Sequence, residues 1–158
     1  QSSDDKFGPL TCISGTVRTK NGCFVQTIDS RYPTSTTGKA ITSAMEDLGK
    51  TYGCAYQVLA DDVPFYIDPK SPEITTLLDT YHEYTGHEGK AFVIGGGTYA
   101  RHFKHAVAFG PVESAEADQI PAWVGAEHGP DEGVSEEWLR RALKIYIVSI
   151  ARLMELDL

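Results

Sequence analysis

Three consecutive glycines, Gly95 to Gly97, sit between two apolar runs that each read as a strand, Ala91 to Ile94 and Ala106 to Phe109. A glycine triplet weakens a strand, so the backbone here must turn with positive φ or approach another group closely. Thr98, Tyr99 and Arg101 follow at once. Free N–H groups at a strand end, beside a hydroxyl and a guanidinium, form an anion site for which a carboxylate is a natural guest. A tight turn between two sheet strands explains the same glycines equally well.

The 158 residues suffice for one ordinary domain or two small ones. With 41% hydrophobic and 23% charged residues, the chain has globular composition. Its 14 basic and 22 acidic side chains leave a net charge of −8. A nucleic-acid groove needs a basic stripe, so that partner class is not expected. No apolar run reaches the roughly 18 residues of a membrane span, so no membrane association is expected. Cys12, Cys23 and Cys54 form neither an even disulfide framework nor a metal-spaced set. A reduced, cytoplasmic setting follows, with the thiols read as small core residues.

Residues 1–9 read as a disordered lead-in. Two strand-like runs, Leu10 to Arg18 and Cys23 to Asp29, flank Lys20-Asn21-Gly22, the turn chemistry of a β-hairpin. Ile41, Ala44, Met45, Leu48 and Tyr52 recur at helical spacing, and Gly53 ends that helix. Further strands are expected at Ala55 to Leu59 and Val63 to Ile67, giving β-β-α-β, part of a ferredoxin-like sandwich. Ser71-Pro72 opens a second helix with Ile74, Leu77, Leu78 and Tyr81 inward, and Gly86 closes it. A long loop spans Glu113 to Gly133. Ser135 caps a last helix whose stripe, Leu139, Ala142, Leu143, Tyr146, Ile147, Ile150 and Leu153, is that of a helix packed on a sheet.

From Leu10 to the end, the chain resembles the C-terminal part of PepV-type dipeptidases. These belong to the co-catalytic zinc metallopeptidase family that includes aminoacylase and succinyl-diaminopimelate desuccinylase. The resemblance rests on Ile28-Asp29-Ser30-Arg31-Tyr32-Pro33, Pro64-Phe65-Tyr66-Ile67-Asp68 and the helix from Ser71-Pro72-Glu73 to Tyr84-Thr85-Gly86. It continues through Ile94 to Pro111, Glu127-His128 with Glu132, and the closing Lys144-Ile145-Tyr146 helix. It implies a mixed α/β and α+β chain. Residues 10–68 would be the C-terminal part of a lid domain, and residues 69–158 the C-terminal α-β-β-α part of a catalytic domain.

The resemblance also implies roles. His128 would close one of two zinc sites, Arg31 would grip the terminal carboxylate of a dipeptide substrate, and Gly96, Gly97 and Thr98 would complete that pocket. Arg101 would help electrostatically or pair with an acidic neighbour, and Glu132 would orient a ligand or lie on the surface. The family's His-x-Asp pair, bridging aspartate and Glu-Glu pair have no counterpart here. The expectation is a fragment that supplies no catalytic residue, holds an incomplete zinc site, is inactive alone and needs the N-terminal part of the same enzyme. The rival is a stand-alone anion-binding or dimerisation module that self-associates through open sheet edges. A nucleotide phosphate loop at Gly95 to Thr98 lacks the required lysine and a helix directly after it.

Overall fold

Asn21 and Gly22, with φ of 51° and 77°, make the positive-φ turn that the hairpin requires. A computed structural model describes residues 2–157. In it the turn joins β3 (Thr11–Lys20) to β4 (Cys23–Arg31), an antiparallel ribbon running from the Thr11–Arg31 pair to the Lys20–Cys23 pair. The register shifts between Ser14 and Val17, where the Thr16 N–H donates to the Thr27 hydroxyl at 2.8 Å. Two shorter strands, β1 (Ser3–Asp4) and β2 (Gly8–Pro9), pair with each other. The segment expected to lack structure therefore folds back on itself. Asp4 holds it, accepting from the Phe7 N–H at 2.7 Å and from the Thr34 N–H and hydroxyl at 2.7 and 2.6 Å.

Helix α1 (Gly38–Tyr52) starts where Thr37 accepts the Ala40 N–H and stops at Gly53, left-handed at φ 67°. Helix α2 (Pro72–Thr85) follows Ser71 and ends at Gly86, again left-handed. Helix α3 (Glu136–Leu153) begins after Ser135 with Glu136 and Glu137 in its first turn, where the helix dipole favours them. Two 3-10 turns, Tyr99–His102 and Ser114–Gln119, complete the described elements. No described helix is long and apolar enough to cross a membrane.

The chain forms two compact units. The first holds the described residues up to Tyr66 together with Val93–Gly97, and the second holds Ile67–Phe92 and the described residues from Thr98 onward. In the first, the Phe7 and Tyr66 rings meet edge to face at 6.1 Å, and the Tyr32 hydroxyl donates to Asp61 at 2.5 Å. Burial and then Asp61 push the Tyr32 phenol up to about 12. In the second, α2 packs on α3 through Ile74, Leu77, Trp138, Ala142 and Ile145. Thr80 and Ser149 are also buried. The Thr80 hydroxyl donates to the Thr76 carbonyl and accepts from Arg152 at 2.9 Å.

The mixed α and β class holds, with three corrections. The segments expected as strands at 55–59, 63–67, 91–94 and 106–109 join no ladder among the described residues. A strand exists only through a neighbour, and nothing described pairs with these. Second, α3 packs on a helix, so Leu139, Leu143, Ile147 and Ile150 stay 45–62% exposed, whereas Trp138 and Ile145 are buried. Third, all three cysteines are free and exposed. Cys12 and Cys23 lie on a ribbon whose strands are exposed on both faces, and Cys54 lies just past a helix cap.

Candidate functional site

Strand β4 ends on Arg31, and its pleat sets Asp29 and Arg31 on one face. The Arg31 Nη2 donates to Asp29 Oδ2 at 3.1 Å, and both side chains are about half exposed. The glycine segment lies against this guanidinium. A methyl at Gly95 would stand 3.1 Å from Arg31 Cδ and 3.5 Å from Nη1, and one at Gly96 would stand 3.8 Å from Nη1. The 3.1 Å approach at Gly95 is tight, so bare backbone there eases the passage of the Arg31 side chain, whereas the Gly96 distance is an ordinary contact. This is the close approach that the triplet implies, and Arg31 is the group approached. With one terminal nitrogen, Nη2, held by Asp29, the guanidinium keeps its Nε and Nη1 donors for an incoming carboxylate.

Gly97 belongs to the same unit as Arg31. Thr98 and Arg101 belong to the second unit, where Thr98 precedes the turn Tyr99–His102 and its carbonyl accepts the Arg101 N–H at 3.3 Å. Of the five expected substrate-binding residues, Arg31 and Gly96 are the pair brought together.

His128 lies on the long loop of the second unit, exposed and left-handed at φ 61°. Positive φ in a residue other than glycine costs roughly 1–2 kcal/mol and points to a position held by its surroundings. What holds it is local. Glu132 Oε2 accepts the His128 backbone N–H at 2.9 Å, the Gly125 N–H donates to the Asp131 carbonyl at 2.9 Å, and the Gly129 N–H donates to Ala126 at 2.9 Å. Glu132 therefore orients the backbone of His128 through its amide. The His128 imidazole is exposed on a locally pinned loop.

A third cluster escaped the sequence. His87, just past the cap of α2, lies 3.2 Å from Glu116, and the ligand atoms of His87, Glu113 and Glu116 all fall within 4.8 Å of one another. That set could hold a metal ion. Its carboxylates, however, already have donors. Arg141 reaches Glu116 through both terminal nitrogens at 2.8 Å, and the Trp138 indole N–H donates to it at 2.8 Å. The Tyr81 hydroxyl donates to Glu113 at 2.6 Å, and the Ala115 N–H does so at 3.2 Å. Arg141, with His87 and Trp138 adding, holds the Glu116 carboxyl down at about 2. Burial and then Glu113 push the Tyr81 phenol up to about 12. The chemistry is that of an ion-pair lock. The Glu113-x-x-Glu116 spacing is the only trace it leaves in the sequence, since its partners lie 22–32 residues away.

No family model matches the chain. Curated relatives do. It is 30% identical over 151 residues to "Putative dipeptidase YtjP" of Bacillus subtilis (strain 168), covering 95% of this chain and 30% of that protein. A "Putative dipeptidase" of Staphylococcus saprophyticus is 27% identical over 126 residues, 80% of this chain and 25% of that one. One of Staphylococcus aureus (strain USA300) is 29% identical over 152 residues, 92% and 30%. The chain is thus a homologue of these proteins over nearly all of its length, and it spans less than a third of theirs.

Proposed function

We propose that this homologue of dipeptidase-named proteins is the C-terminal portion of a zinc-dependent dipeptidase that hydrolyses dipeptides in the cytoplasm. The carrying observation is Arg31 seated on the bare backbone of Gly95 and Gly96. In this reading Arg31 grips the substrate's terminal carboxylate, with Gly96, Gly97 and Thr98 offering further donors and Arg101 adding positive charge. Such a grip fixes the position of the scissile bond and selects short peptides. The strained, pinned position of His128 supports its role as one zinc ligand. Zinc, when bound, lowers the pKa of its water and polarises a carbonyl. The remaining ligands and the general base would come from the preceding part of the same enzyme. That part would also cover the outer face of α3 and pair the segments that lack ladders. The three free thiols fit a reducing compartment.

The test uses the 158-residue chain. Titration with a dipeptide should shift the backbone amide resonances of Gly95 to Thr98, and the same dipeptide amidated at its C-terminus should not. Arg31→Lys should weaken the response about tenfold, because lysine lacks the fork. Equal shifts with both peptides would remove the carboxylate anchor. With zinc added, the chain alone should show no turnover, and measurable hydrolysis would overturn the fragment reading.

A second reading is favoured by the ribbon, whose outer edges have no ladder partner among the described residues. Open edges template pairing with another copy, as in a dimerisation module. Sedimentation at micromolar concentration separates the two readings, since a defined, saturable dimer supports the module.

A further inference from the structure

We propose that Glu116 and Arg141 are positioning residues for His128, their ion pair fixing the start of the loop that carries this imidazole. The proposal rests on the reading of His128 as a site residue, and it assigns the cluster around Glu116 a task other than metal binding. A loop as long as that between Glu113 and Ser135 normally moves, because few contacts offset the entropy of fixing it. This one is built from successive short turns. The turn Ser114–Gln119 is followed by Ile120 N–H to Ala117, Val124 N–H to Pro121 at 2.9 Å, Gly125 N–H to Asp131 and His128 N–H to Glu132.

A linked segment has a defined place only if its ends are held. At the far end it enters α3 at Ser135, whose carbonyl accepts the Leu139 N–H. At the near end side chains do the holding. Glu116 takes Arg141 and Trp138 from α3 and His87 from the turn after α2, while Glu113 takes Tyr81 from α2. The guanidinium's two nitrogens engage the Glu116 carboxylate, which sets orientation as well as distance. Arg140 and Glu136 make a pair of the same chemistry at 2.6 Å, but within one helix and exposed, so it positions nothing.

Amide exchange on the metal-free 158-residue chain tests this. In Glu116→Gln the amides of Val124, Gly125, His128 and Gly129 should gain about tenfold in exchange rate beyond the change in α2 and α3, which should follow the loss of global stability alone. Arg141→Lys, which keeps the charge and loses the fork, should give the same pattern at smaller amplitude, and it stands in should Glu116→Gln fail to fold. The His128 amide resonance should move in both variants although Glu132 is untouched, and Glu136→Gln should leave everything unchanged. Unchanged exchange from 124 to 129 would overturn the proposal. So would an equal loss across α2 and α3, which would make the pair a packing contact only. Zinc and peptide are absent from this measurement, so it stands apart from the ligand role: a separate zinc titration that leaves the His128 resonances unmoved would overturn the ligand role alone.

Discussion

Arg141 and Glu116, 25 residues apart in the chain, meet through paired contacts of 2.8 Å. The pair lies largely out of solvent, with side-chain exposures of 24% and 13%. Removing Arg141 would leave Glu116 largely enclosed with only its Trp138 and His87 contacts, a larger loss than that of a surface pair.

The pH dependence of this contact has a definite sign. Glu116 titrates at about 2 in the folded chain against an ordinary 4.5. Its folded value is depressed, so its contribution is complete above about 4.5 and is lost as pH falls toward 2. Thermal unfolding of the wild type and Glu116→Gln should therefore differ by a constant gap above that range. The gap should close on acidification. A gap independent of pH down to about 2 would show that the carboxylate is not ion-paired in solution.

Tyr81→Phe should lower stability by about 2 kcal/mol in urea unfolding, because it strips a donor from the buried Glu113 carboxylate. Tyr81 itself should ionise near 12 in a spectrophotometric titration. A loss under about 0.5 kcal/mol, typical of exposed sites, would mean that water replaces the phenol there.

The two faces of α3 should respond oppositely. Ile145 is 5% exposed and faces α2, so Ile145→Ala should cost about 2–5 kcal/mol. Leu143 is 59% exposed, and Leu143→Ala should stay within about 0.5 kcal/mol in the isolated chain. Comparable costs would show that the outer face is covered in solution.

What could be read from the sequence was what depends on neighbours along the chain. The Asn21-Gly22 turn, the glycine stops at 53 and 86 and the inward Ile74 and Leu77 are all local decisions. Strands at 55–67 and 91–109 were not, since apolar patterning declares a tendency and only a partner makes a ladder. On α3 the periodicity identified an apolar stripe correctly as a pattern. It could not say which flank meets α2, because Trp138 and Ile145 lie beside that stripe and are themselves apolar. Arg31 and the glycines each carried a signal, but their meeting across more than sixty positions did not. The lock around Glu116 was the least legible part, since its partners come from two distant stretches, the turn after α2 and the helix α3.

The exposure of the thiols has a practical side. Cys12, Cys23 and Cys54, the chain's three cysteines, all fall in the first unit, and Trp123 and Trp138, its two tryptophans, both fall in the second. A maleimide dye will therefore mark one half of the molecule while the native fluorophores sit in the other. Dye and tryptophan signals thus report separately on the two units of the unmodified chain.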